Sequence, residues 1–341
     1  MTDYIIVGSG VSGLSLQKAI TDLGKDFLVI SDHSQQASHV AGGLINPVML
    51  KTGKPVWNID EFLEYAKQFY ISFNPVSFKS YPIHRVFNSI AEQNKHLSLI
   101  NTTNQKYVTG DLVKPYHHIQ APHKMSLVEG GGVANIQEIL KSEAHSLQSK
   151  HQFVNSTFDV TELNFNRDHI DYDSHKAKHI IFAEGAGVVN NLFFSELPIE
   201  GNKGEYLLIE SEALQLNAIL KNKYFLIPLG NNVYKYGATY ARNQFNNKPT
   251  EEARKELKTY LDKMVSCPYQ IVDQVAGLRP TVKDKKPIYG THPNYKNLHV
   301  FNGMGSRGLL MAPLLAKELL EHIEFGNPLR SEIDLNRFKL A

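Results

Sequence analysis

The sequence holds one cysteine, Cys267, in 341 residues. A single thiol cannot close an internal disulfide, and alone it cannot ligate an iron–sulfur cluster or a thiolate zinc site, so a disulfide-stapled secreted scaffold is excluded. Long apolar runs are missing too. No stretch approaches the roughly 18 uninterrupted apolar residues of a membrane span, and the N-terminus lacks the basic and long apolar regions of a signal peptide. These absences point to a cytoplasmic protein with no membrane partner. Charge of one sign is also scarce: 36 Lys and Arg against 34 Asp and Glu leave a net charge of +2, which makes no electrostatic case for nucleic acid. Neither a Pro/Ser-rich linker nor an internal repeat interrupts the chain. Against these absences, 42% of the residues are hydrophobic, ample for buried cores, and the length suits about two domains.

The strongest signal comes first in the chain. Asp3 to Val7 is a short, β-branched apolar run, as expected of a parallel strand buried on both faces. Gly8-Ser9-Gly10-Val11-Ser12-Gly13 follows at once, then a helical face of Leu14, Leu16, Ala19, Ile20 and Leu23 that stops at Gly24, then a second strand, Phe27 to Ile30. A strand, a G-x-G-x-x-G turn, a helix and a strand form the unit that binds a dinucleotide pyrophosphate on a helix N-terminus. The acidic residue that bonds a ribose hydroxyl falls at Ser31 by strict count, with Asp32 one position later. Either Asp32 turns inward or other groups hold the ribose.

Ser38-His39-Val40-Ala41-Gly42-Gly43-Leu44-Ile45-Asn46-Pro47 resembles the segment beside the flavin in the D-amino acid oxidase family, which includes glycine oxidase and sarcosine oxidase. Later stretches agree in order. Gly130 to Asn135 resembles the glycine-rich entry to the next flavin-domain helix, and Ile180 to Gly187 the strand and turn that revisit the dinucleotide. Lys203-Gly204-Glu205 resembles the step into the substrate domain, Ala276-Gly277-Leu278-Arg279-Pro280 the Gly-x-Arg-Pro strand, and Asn302 to Gly308 the C-terminal flavin loop.

The resemblance implies an α/β fold: a Rossmann-like FAD-binding domain (1–76, 129–200 and 285–341) with an inserted antiparallel-sheet α+β substrate domain (77–128 and 201–284). It implies FAD at Gly8, Gly10, Val11, Ser12, Gly13, Ser31, Asp32, Ser38, Gly42, Gly43, Leu44, Glu184, Gly185, Gly303, Gly305, Ser306, Arg307 and Gly308. The sarcosine branch attaches flavin through a cysteine near the Gly-x-Arg-Pro strand; here Cys267 lies ten residues before Gly277, so noncovalent FAD is expected. Arg279 stands at the family's carboxylate-binding position, where a guanidinium forks onto a carboxylate with two parallel bonds. Arg307, on the flavin loop, is the second candidate, and Tyr240 or Tyr224 would add a hydroxyl. Lys235 sits in a Lys-x-Gly step resembling the sarcosine branch, where a lysine helps oxygen react; its alternative reading is an exposed strand lysine.

Outside the resemblance, Tyr224 to Leu229, Gly230-Asn231-Asn232 and Val233 to Thr239 read as a hairpin. Thr250 caps a helix running to about Val265, and a last long helix begins near Gly308. His117, His118 and His123 form the only local histidine cluster, but without helical i, i+4 spacing or a carboxylate partner they predict no metal. The expected activity is oxidation of the C–N bond of a small amino acid or N-substituted glycine to an imine, with oxygen or a quinone as acceptor. Two alternatives remain open: a flavin enzyme acting on a carboxymethylaminomethyl-modified tRNA base, for which Lys283, Lys285 and Lys286 form the only tight basic cluster, and a noncatalytic flavin-binding protein.

Overall fold

A computed structural model describes residues 1–242 and 244–338, so the last three positions of the expected flavin-domain segment lie outside the described residues. The elements that position the site are, in chain order, β1 (Thr2–Val7), α1 (Val11–Asp22), β2 (Phe27–Ile30), β3 (Ile83–Val86), β4 (His175–Phe182), β5 (Ile199–Glu210), β6 (Ile219–Lys221), β7 (Phe225–Gly230), β8 (Val233–Gly237), α2 (Glu251–Asp262), β9 (Gln270–Val282), β10 (Leu298–Asn302) and α3 (Gly308–Phe325).

The first sheet is built on parallel pairs in the order β2–β1–β4–β10. Parallel strands must be joined by crossovers that cover the faces, and this explains why Tyr4 to Val7 and Phe27 to Ile30 are buried without polar alternation. Helices α1 and α3 pack together on one face, with Leu16, Ile20, Leu315 and Leu319 in their shared core. Gly24, at φ 67°, ends the first helix where the sequence places its stop.

The second sheet runs β9–β5–β8–β7–β6–β3 and continues into Met125–Val128 and Val108–Val113. The hairpin forms as read, Asn231 and Asn232 both taking positive φ at the turn, and Thr250 caps α2 by accepting a hydrogen bond from the Ala253 amide. One pairing departs from the expected antiparallel sheet. Strands β3 and β6 run parallel, because the chain between them leaves to build part of the first layer and returns in the same direction. Strands β5 and β9 are the longest and pair along almost their whole length, from Ile199 opposite Val282 to Glu210 opposite Gln270. Among the described residues no helix is long and apolar enough to cross a membrane.

Candidate functional site

The register of the second sheet sorts its side chains. Arg279 and Gly277 on β9, Gly204 and Tyr206 on β5, Gly237 and Lys235 on β8, and Phe225 and Ile227 on β7 share one face. The opposite face sends Leu207, Leu226 and Tyr236 into a core beneath α2. The first face is turned toward the loop at 37–44: a Cβ on Gly42 would stand 2.6 Å from Ile227 Cδ1, and one on Gly277 2.7 Å from Val40 Cγ2. Between this face and the C-terminal ends of β1, β2 and β4 lies a cavity of about 1320 Å³.

The cavity gathers nearly all the residues singled out in the sequence. Of the expected cofactor contacts, every one but Gly13 lines it, as do Arg279, Arg307, Tyr240 and Tyr224. Gly13 serves the turn from behind: a Cβ there would stand 2.1 Å from the Gly8 carbonyl oxygen. Gly8 itself has φ 110°, and a Cβ on it would come within 2.5 Å of the Ala183 carbonyl oxygen. The strand–turn–helix junction is thus closed to any larger residue. Helix α1 starts at Gly10 with no side-chain cap, leaving its N-terminus to face the cavity, and Ser38 Oγ accepts from the Val11 amide at 3.0 Å. A glycine cradle, a helix N-terminus with glycine at its N-cap and a long cavity fit a dinucleotide.

The family model for FAD dependent oxidoreductases, DAO, matches residues 3–322. The chain belongs to the DAO family. FAD is accordingly its cofactor, and it is an FAD-dependent oxidoreductase. The relatives fall into two groups. Over 150 residues the chain is 29% identical to the tRNA 5-methylaminomethyl-2-thiouridine biosynthesis bifunctional protein MnmC of Idiomarina loihiensis, covering 41% of this chain and 24% of that protein. Over 167 residues it is 27% identical to glycine oxidase of Bacillus licheniformis, covering 46% of this chain and 44% of that one. These matches span about a quarter and under half of the relatives' lengths. Among solved structures, iminodiacetate oxidase from Chelativorans sp. BNC1 superposes with a TM-score of 0.80 at 18% identity over 98% of both chains, a likeness of fold.

Within this DAO fold the charged candidates differ in their surroundings. Arg279 donates to the Thr239 carbonyl at 3.3 Å and has no carboxylate partner among the described residues. Arg307 occupies the N-cap position of α3 without a side-chain cap, likewise has no carboxylate partner among those residues, and burial lowers its pKa. Loop and strand are tied together here, since the Gly305 amide donates to the Pro280 carbonyl at 2.8 Å. Tyr240 is 59% exposed at the rim. The Tyr224 hydroxyl is committed to Glu256 at 2.5 Å.

Lys235 overturns the exposed-lysine reading and is not on the cavity wall either. It is fully buried behind Gly42, its Nζ donating to the carbonyls of Val40 and Ala41 at 2.9 and 3.1 Å, and burial pushes its pKa down to about 8. Both faces of β8 are covered, so the alternation that marks a half-exposed strand does not apply. Asp32 is also engaged locally: its carboxylate accepts from the Ser34 amide at 2.9 Å and the Thr157 hydroxyl at 3.0 Å. Ser31 Oγ meets Ser9 Oγ at 3.0 Å.

Sequence reasoning missed two features. Ser156 to Val160 supplies part of the cavity wall, a segment with no motif to mark it. Lys203 and Glu205, both buried, form an ion pair at 3.5 Å. Lys203 also bonds Gln244 and Asn246, and Glu205 accepts from the Thr250 amide and hydroxyl and from Gln274. The Lys-Gly-Glu step thus holds Gln244, Asn246 and Thr250, which follow the cavity-lining Tyr240 in the chain. The signal was there in two opposite charges inside a strand, on either side of a glycine.

Proposed function

We propose that the protein oxidises the C–N bond of a small carboxylate-bearing amine, an amino acid or N-substituted glycine, to an imine that water then hydrolyses. The observation that carries this reading is Arg279: a guanidinium without a carboxylate partner among the described residues, on the sheet face opposite the Gly42–Gly43 loop. An uncompensated arginine in a cavity is a ready partner for a substrate carboxylate, and two parallel hydrogen bonds would fix the adjoining carbon. FAD, when bound, supplies the acceptor for the hydride. The glycine turn at 8–13 and the loops at 38–44 and 303–308 would hold it. The single cysteine packs in the core behind the sheet, which supports noncovalent attachment. Arg307 and Tyr240 would complete the substrate end, and oxygen or a quinone would take the electrons. We divide the chain at the same boundaries: flavin domain 1–76, 129–200 and 285–341, substrate domain 77–128 and 201–284.

The test is anaerobic titration of the yellow protein with glycine, sarcosine and a panel of D- and L-amino acids. Bleaching by any of them supports the reading, and admitting air then identifies the acceptor.

A second reading keeps the chemistry and enlarges the substrate to a modified tRNA base. The MnmC relatives favour it, as do Lys51, Lys221 and Lys223 on the cavity wall together with Lys285 of the cluster read in the sequence. Bleaching by carboxymethylaminomethyl-modified tRNA, with no response to free amino acids, would select it.

A further inference from the structure

Glu184 is a carboxyl group in the wall of the FAD cavity that forms no ion pair among the described residues. It stands two residues beyond β4, and a Cβ on Gly8 would lie 3.4 Å from its amide nitrogen, so its backbone adjoins the G-x-G turn on which a pyrophosphate would rest while its side chain lines the same cavity. Its Oε2 accepts from Asn191 Nδ2 at 2.8 Å, while Oε1 faces no donor among the described residues.

The charged groups on the elements around it are occupied elsewhere or form no pair with it. The strands packed on the Gly185–Asn190 turn, β5 and β9, carry Glu200, Lys203, Glu205 and Arg279, with Glu210 and Asp273 at the opposite end of the paired strands. Lys203 and Glu205 pair with each other, Arg279 turns to Thr239, and Glu200 is exposed. Asp32, from the loop after β2, is held by Ser34 and Thr157, and Asp159 by Thr161. Arg307 stands at the N-cap position of α3 and makes no ion pair with Glu184.

We propose that binding of FAD takes up one proton, carried by the Glu184 carboxyl. The pyrophosphate of FAD brings two negative charges to the turn beside this group. An ionised carboxylate there would be both desolvated and repelled, whereas the neutral acid avoids both costs and gains a proton to donate. Burial alone already pushes the Glu184 pKa up to about 7. The sign follows: below that value the carboxyl is protonated before FAD arrives and affinity is independent of pH. Above it the proton must come from solvent, and affinity falls tenfold for each pH unit.

This inference rests on the FAD site described above. Its test is FAD fluorescence titration of the full-length apoprotein from pH 6 to 8.5, for wild type and Glu184→Gln. Wild type should hold a constant Kd below pH 7 and weaken about tenfold between pH 7.5 and 8.5. Glu184→Gln, always neutral, should bind with the low-pH Kd throughout. Calorimetry of wild type alone at pH 8, in buffers of different ionisation heat, should show about one proton taken up per FAD and does not depend on the variant folding. A flat wild-type profile with no proton uptake, or the same slope in the variant, would overturn the proposal and leave the FAD site standing. Failure of wild type to bind FAD at any pH would overturn the site itself.

Discussion

The Arg279 guanidinium lies across Gly204. A Cβ at Gly204 would stand 2.0 Å from Nη2 and 2.4 Å from Cζ, so the arginine can hold its place only because the neighbouring strand has no side chain there. This gives the Lys-Gly-Glu step a physical reason: its glycine makes room for the Arg279 guanidinium, and its two charges hold Gln244, Asn246 and Thr250. Gly204→Ala should displace Arg279 by about an ångström or more and lower kcat/KM for the carboxylate substrate by about 10²-fold. FAD content, read from the visible spectrum, should not change. An alanine enzyme with unaltered kinetics would separate Arg279 from substrate binding.

The cofactor cradle makes a different demand. At Gly8 a Cβ would be both strained by φ 110° and 2.5 Å from a backbone oxygen that cannot swing away. Gly8→Ala should therefore purify without yellow colour and fail to reconstitute with FAD, while circular dichroism still reports a folded chain.

Stability rests partly on the buried pair. Lys203→Met leaves Glu205 charged and buried, and losing one partner of such a pair costs about 3 kcal/mol. Urea denaturation should show that loss. A double variant, Lys203→Met with Glu205→Gln, should be less destabilised than the sum of the two single changes, since no unpaired charge remains.

Acid should weaken the fold through a histidine pair beneath the first sheet. His179 Nδ1 and His299 Nε2 are 3.0 Å apart, His299 Nδ1 meets Thr291 Oγ1 at 2.9 Å, and burial lowers both pKa values, His299 most. The folded protein thus keeps these rings neutral where the unfolded chain would protonate them. Their stabilisation is full above the unfolded histidine value of about 6.5 and declines as pH falls below it, by up to about 1.4 kcal/mol per unit for each proton. His299→Gln should flatten the dependence of unfolding free energy on pH between 6.5 and 5.

The first sheet was legible because its evidence is local. A tight turn, a helix face and two apolar strands fall within Thr2 to Ile30, and each follows from residues a few positions apart. The hairpin at Asn231 and Asn232 and the cap at Thr250 were legible for the same reason. Lys235 was not: whether a strand lysine is exposed depends on what covers it, and here that is a loop almost two hundred residues earlier in the chain. The parallel pairing of β3 with β6 was hidden likewise, since direction depends on the path between strands. The Tyr224 hydroxyl looked available until the structure set Glu256 beside it.

Anaerobic flavin reduction tests most directly whether Arg279 anchors a substrate carboxylate. Wild type and Arg279→Met, each loaded with FAD, would be mixed in a stopped flow with the amine that bleaches wild type and with the same amine lacking its carboxylate. An anchoring Arg279 gives saturable bleaching of wild type by the acid and little by the decarboxylated amine. Arg279→Met should lose affinity for the acid by about 10²-fold or more, as expected when a charge-assisted pair is removed. Equal bleaching of both proteins by the acid, or equal response of wild type to both amines, would contradict that role.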